Sequence, residues 1–294
     1  MTPRPYSIDQ RPSFGEWLRL AAPDLLSLLV LGALAIAIAT RPPARTHLFP
    51  VIPGHVPDLQ YAYPYRGRII PSWAAGLIAV GVPAAVILLL QIRIRSFWDA
   101  HGALLGLATA LLCASLFQAT LKWICGGLRP HFYDRCRPDP SALAPQQAGT
   151  GYGDVMYTTA ACTQRAGLEG DAVASFPSGH AAALWAAMGF LALYLNAKLE
   201  VLGGARQAPA WKLAALLAPP LAACLVCASL LADHSHHARD LVAGALLGAA
   251  CALAAYRMRY ARLWDQRYNH VPLNLLAAYR YDETWDRMAL SSAG

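Results

Sequence analysis

The chain has 294 residues, 56% hydrophobic and 14% charged, and its 24 Lys and Arg against 17 Asp and Glu give a net charge of +7. Soluble domains carry about 25% charged residues, and the mean hydropathy here is +0.35, so lipid is the expected solvent for most of the surface. This composition excludes intrinsic disorder and a disulfide mini-scaffold, and a positive charge spread this thinly argues against a nucleic-acid partner.

Residues 1–16 are polar and Pro-rich and contain no short apolar run followed by a small-residue cleavage site, so the first apolar segment is expected to stay as an anchor. Runs free of Asp, Glu, Lys and Arg then follow at 25–40, 69–92, 100–121, 172–197, 213–232 and 241–256. A membrane helix takes about 17–25 mainly apolar residues. The four middle runs suffice alone, and the outer two borrow flanking residues such as Trp17–Asp24 and Asp240 or Arg257. The expected fold is therefore all-α, a single six-span bundle in the membrane, with 1–16 and 259–294 as cytoplasmic tails. With the N terminus inside, 14 Lys and Arg fall on the cytoplasmic side and 10 outside, which favours that orientation.

The outer connections then lie near 41–68, 122–178 and 233–240. In the first, Tyr61, Tyr63 and Tyr65 around Pro64 read most simply as an interfacial aromatic anchor. The second is long, and long loops are functional or disordered; its Pro-, Ala-, Gln- and Gly-rich part at 138–151 is expected to be mobile. Cys136 and Cys162 share this loop and could close a disulfide in an oxidising lumen, or stay as free thiols. Cys113, Cys224, Cys227 and Cys251 read as packing residues within spans.

Polar and titratable groups at span ends are functional hypotheses by default, and three clusters fall on this outer side. Lys122 and Arg129-Pro130 close the third span, with Gly126 and Gly127 ending the helix so that Arg129 turns back toward Lys122. Such a pair suits a phosphate, through a guanidinium fork and a point charge; snorkelling to lipid headgroups is the bland alternative. Phe176-Pro177-Ser178-Gly179-His180 opens the fourth span. There free helix N–H groups make an anion site, Ser178 can donate, Gly179 allows close approach, and His180 can act as a general acid; a capping turn with an incidental His competes. Between spans five and six, Ser229 to Asp240 sets His236 and Asp240 at i, i+4, on one face if helical, so the carboxylate can fix the tautomer of a reactive imidazole. A metal site built on His234, His236, His237 and Asp240 is the competing reading.

The ordered set Lys122-x6-Arg129-Pro130, Pro177-Ser178-Gly179-His180 and Ser229…His236-x3-Asp240 resembles the type 2 phosphatidic acid phosphatase superfamily over about residues 97–258. The flanking Arg129–Cys136 and His236–Gly244 segments look like its diacylglycerol pyrophosphate phosphatase-like branch. The resemblance implies a metal- and cofactor-independent lipid phosphate phosphatase acting on phosphatidate or diacylglycerol pyrophosphate. In it His236 attacks phosphorus, Asp240 orients His236, His180 protonates the leaving oxygen, and Lys122, Arg129, Ser178 and the Gly179 amide hold the phosphate. It also implies an integral protein of an endomembrane or the plasma membrane with a luminal or extracellular site. One residue departs: the family's third motif begins Ser-Arg, and here the Arg position is Leu230. Losing one preorganised donor costs on the order of 10²–10³ in rate, unless Arg239, His234, Arg135 or Arg137 substitutes. The alternatives are an inactive lipid-phosphate binder, a lipid phosphotransferase and a polyprenyl pyrophosphate phosphatase.

Overall fold

The computed structural model describes residues 12–42, 44, 47–52, 58–139, 141, 149–164, 172–202, 207–265 and 267–273. Most of the two expected tails, and much of the 138–151 stretch, lie outside these residues. The six expected spans are six long helices: α1 (Phe14–Ala39), α2 (Ser72–Ile94), α3 (Phe97–Cys125), α5 (Gly179–Leu199), α6 (Ala210–Ala232) and α7 (Ala238–Arg259). A short helix, α4 (Phe132–Cys136), lies in the long connection between α3 and α5, and a two-residue antiparallel pairing of β1 (Phe49–Pro50) with β2 (Met156–Tyr157) ties the α1–α2 connection to it. All six long helices have the length and apolar character to cross a membrane.

Capping chemistry, not the limits of the charge-free runs, sets where α1 and α5 begin. α1 starts at Phe14 because the Ser13 side chain accepts from the Glu16 N–H, an N-cap that satisfies an otherwise orphaned donor. α5 starts at Gly179, seven residues into its apolar run, because Pro177 and Ser178 hold an extended approach and the Ser178 hydroxyl accepts from the Ala181 N–H. α5 is the central helix, with 67% of its apolar stretch buried within the protein, against 11% for α1, the least buried.

Close backbone packing joins α5 to α7. A Cβ on Gly244 would lie 2.5 Å from the Ser178 carbonyl oxygen, and one on Gly248 would lie 2.3 Å from that of Ala182. Glycines spaced by four let membrane helices approach in this way, with packing rather than water expulsion as the driving force. The core around them is Leu184, Met188, Phe190, Leu191 and Tyr194 from α5, with Ala252, Tyr256 and Tyr260 from α7 and the segment after it. The bundle thus has two polar ends: one where α3 finishes and α2, α5 and α7 begin, and a second at the opposite termini of those helices.

Candidate active site

At the first end, α3 stops at Cys125 because Gly126 caps it at φ 57°, ψ −124°, and Gly127 continues at φ 114°. Both are conformations that side-chain-bearing residues rarely adopt. A Cβ at Gly126 would also lie 2.2 Å from the His47 Nε2. The chain leaving α3 then runs alongside the approach to α5. Ser175 N–H donates to the Gly127 carbonyl (3.0 Å), Phe176 N–H to that of Gly126 (2.9 Å) and Arg129 N–H to that of Ala172 (3.0 Å). Lys122 Nζ donates to the Ala174 carbonyl at 2.8 Å, and Arg129 Nη1 to the Ser235 carbonyl at 3.0 Å. These bonds fasten three chain segments into one frame.

The frame encloses a cavity of about 410 Å³. Gln118 and Lys122 reach it from α3, Arg129 from the following turn, Gly179, His180, Ala183 and Leu184 from α5, and His236 from the turn before α7; Ser72, Ala75 and Gly76 of α2 and Arg68 close the remaining side. Lys122, Arg129, Gly179, His180 and His236, five of the residues singled out from the sequence, therefore share one cavity.

Ser178 and Asp240 stand behind it. Ser178 is fully buried as the N-cap of α5, its hydroxyl accepting the Ala181 N–H. The i, i+4 helix-face geometry expected for His236 and Asp240 is not what forms. α7 begins at Ala238 with His237 as N-cap, so His236 lies in the turn before the helix. The physical reason is a capping box: Asp240 Oδ2 accepts the His237 N–H at 3.0 Å, which holds the carboxylate at the helix start. His236 Nδ1 nevertheless lies 3.7 Å from the same Oδ2, with both side chains buried. That is an electrostatic contact beyond hydrogen-bond length, and catalytic hydrogen bonds often tighten only when substrate is bound. Ser175 Oγ donates to Asp240 Oδ2 at 2.5 Å, a support that one polar residue just before the Pro177 motif gives no means of recognising. Burial pushes the His236 imidazole down to about 4; Asp240 opposes this shift, and Arg129 and Lys122 reinforce it. At neutral pH the ring is uncharged, the form that carries a nucleophilic lone pair. The His180 Nε2 is buried without a hydrogen-bond partner.

The tyrosines read from the sequence as interfacial anchors also meet histidines of the neighbouring connections. Tyr61 ends a 3-10 turn (Leu59–Tyr61) and Tyr63 and Tyr65 follow it; each ring meets a histidine: Tyr61 meets His237 edge-on, Tyr63 stacks on His234 and Tyr65 meets His131 edge-on, with centroids 5.5, 4.4 and 5.0 Å apart. Tyr63 N–H donates to the Pro130 carbonyl and Tyr65 N–H to Asp134. The segment is a strap across the rim of the site.

Among the described residues no group of three or more His, Cys, Asp and Glu is placed to hold a metal ion; His234 stacks on Tyr63, while His236 and His237 both lie against Asp240 Oδ2. Cys136 and Cys162 form a disulfide, which joins α4 to the far part of the same connection. The four residues suggested as replacements for the missing third-motif Arg do not line the cavity. Arg239 is exposed beside Tyr61, Arg135 lies over the Tyr65 ring, His234 packs on Tyr63, and Arg137 caps α4. Arg68 does line it, and sequence reasoning missed it because it belongs to none of the three clusters.

Six apolar helices with a cation-lined, histidine-bearing cavity at one end define an integral membrane protein whose site suits a phosphate. Residues 103–264 match the family model of the PAP2 superfamily, and the chain belongs to that superfamily, which places it among phosphatase enzymes. It is 29% identical over 92% of its length to a PA-phosphatase related-family protein of Dictyostelium discoideum, covering 71% of that protein. It is 33% identical over 67% of its length to Lipid phosphate phosphatase 1 of Arabidopsis thaliana, covering 57% of it. With the Probable diacylglycerol pyrophosphate phosphatase 1 of Schizosaccharomyces pombe it shares 31% identity over 70% of its length and 71% of the relative's. No solved structure matches the chain.

Proposed function

We propose that this protein hydrolyses lipid phosphates, phosphatidate or diacylglycerol pyrophosphate, through a phosphohistidine intermediate and without a divalent cation. The observation that carries the reading is the convergence of His180, His236, Lys122 and Arg129 on one cavity. The His236 Nε2 lone pair forms a bond to phosphorus as the P–O bond to the lipid breaks in line, and His180 gives its proton to the departing oxygen. Water then attacks the phosphohistidine and passes a proton back to His180, which restores both rings and releases phosphate. Lys122, Arg129 and the N–H groups opening α5 neutralise the non-bridging oxygens, the role a metal ion otherwise plays. Asp240, braced by Ser175 and the His237 N–H, orients His236.

The proposed side of the membrane is luminal or extracellular. The disulfide supports this, because Cys136 and Cys162 sit in the connection that also supplies Arg129, and disulfides persist in oxidising compartments. The DGPP phosphatase and lipid phosphate phosphatase relatives support the substrate class. The test is phosphate release by the purified protein from phosphatidate and diacylglycerol pyrophosphate in EDTA. We expect turnover that His236→Ala lowers by at least about 10³-fold, as loss of a nucleophile does; undiminished release by that variant would refute the proposed nucleophile.

A further inference from the structure

A phosphoryl group in transfer spreads its charge over three equatorial oxygens, and Lys122 and Arg129 supply two cations. The cavity holds a third, Arg68, which arrives from outside the helices that carry the histidines. Its position is built. Gly67 turns the chain at φ 73°, the Arg68 Nη1 donates to the Ser72 hydroxyl in the first turn of α2, and the next residue, Ile69, donates its N–H to Asp233 Oδ2 at 3.1 Å. The other Asp233 oxygen accepts the Ser235 N–H at 3.0 Å, in the turn that ends at His236. Asp233, buried at 1% exposure, thus ties the Arg68 segment to the His236 turn. Leu230, by contrast, is fully buried in an apolar cluster with Ala181 and Leu241, so that position of α6 is packing.

We propose that Arg68 is the third phosphate-binding cation of this site, gripping non-bridging oxygens from the α2 side while Arg129 and Lys122 hold the opposite side. The guanidinium fork suits two oxygens of one phosphate, and a fixed cation aimed at charge that grows in the transition state acts mainly on kcat. The proposal rests on the phosphatase reading above.

The experiment compares wild type, Arg68→Ala, Arg68→Lys, Arg66→Ala and His236→Ala in detergent. The readouts are phosphate release from phosphatidate, inhibition by orthovanadate (an analogue of five-coordinate phosphorus) and thermal unfolding. Arg68→Ala is expected to lower kcat about 10²–10³-fold and to weaken vanadate inhibition in parallel. Arg68→Lys, which keeps the charge and loses the fork, is expected to fall between, and the exposed neighbour Arg66→Ala to match wild type. Should Arg68→Ala fail to fold, Arg68→Lys decides. Wild-type kcat and vanadate inhibition in the folded Arg68 variant, with His236→Ala inactive, would overturn the role of Arg68 alone. Activity in His236→Ala would instead overturn the phosphatase mechanism beneath it.

Discussion

His236 shows how position sets the protonation state of one residue. Its ring is buried beside two cations, and both influences favour the neutral form; only Asp240 opposes them. An ordinary histidine titrates near pH 6.5 and would lose its free lone pair progressively below that. Here the value lies at about 4. As the proposed nucleophile, His236 must be neutral and is protonated only as the pH falls through that value, so this group should cause no loss of kcat/KM between about pH 5 and 7, and a tenfold loss per unit well below about pH 4. A pH profile of kcat/KM in detergent checks this, and a nucleophile limb at about pH 6.5 would show that the buried ring is not held neutral. Sequence alone indicates that His236 and Asp240 belong together, because their spacing fits a cooperating pair. It does not show that His237 caps α7 and leaves His236 in the preceding turn, since that depends on which of two adjacent histidines takes the N-cap position.

At the scale of the element, the joint between α5 and α7 sets the distance across the site, for α5 carries His180 and α7 anchors the turn of His236. Gly244 and Gly248 are the contact points, and each leaves no room for a methyl group against α5 backbone. Gly248→Ala must therefore push α7 away from Ala182 and Ala186. Misplacement of a reacting group by about 1 Å costs on the order of 10²-fold in rate, so we expect kcat to fall by about that factor while helical content by circular dichroism is kept. Gly81→Ala, on a face of α2 where an added Cβ meets nothing within 4 Å, provides the comparison and should leave kcat unchanged, with a helix-propensity gain of up to about 1 kcal/mol. The spans themselves are legible in the sequence because lack of charge over about 20 residues is a direct consequence of the bilayer's thickness. The strap at 61–69 is not legible. Its tyrosines carry the composition of an interfacial belt, and only the fold shows that their partners are His237, His234 and His131, from connections more than 60 residues away.

Across the whole molecule, the cavity at one end is matched by a buried polar lock at the other. Asp99 of α3, 2% exposed, pairs with Lys198 of α5 at 2.5 Å. It also accepts hydrogen bonds from Tyr194 of α5 at 2.7 Å, Gln91 of α2 at 2.8 Å and the Tyr260 hydroxyl beyond α7 at 3.0 Å. Four segments thus converge on one carboxylate, and Lys198 extends the network by donating to the His270 carbonyl. None of these groups lines the cavity, which is formed by the opposite termini of the same helices. The lock therefore carries structure, and the proposed chemistry lies at the far end. Breaking a buried ion pair by removing one partner costs about 3–5 kcal/mol, because the remaining charge is left uncompensated. Asp99→Ala should accordingly lower thermal stability in detergent by an amount of that order. Asp99→Asn, which keeps the shape and part of the hydrogen bonding, should lower it less. For both variants kcat per folded molecule is expected to stay near wild type, since His180, His236, Lys122 and Arg129 keep their own frame of backbone hydrogen bonds. Equal losses of kcat and stability in Asp99→Asn would show instead that the two ends of the bundle are coupled through α3 and α5, and that the lock sets the spacing of the site.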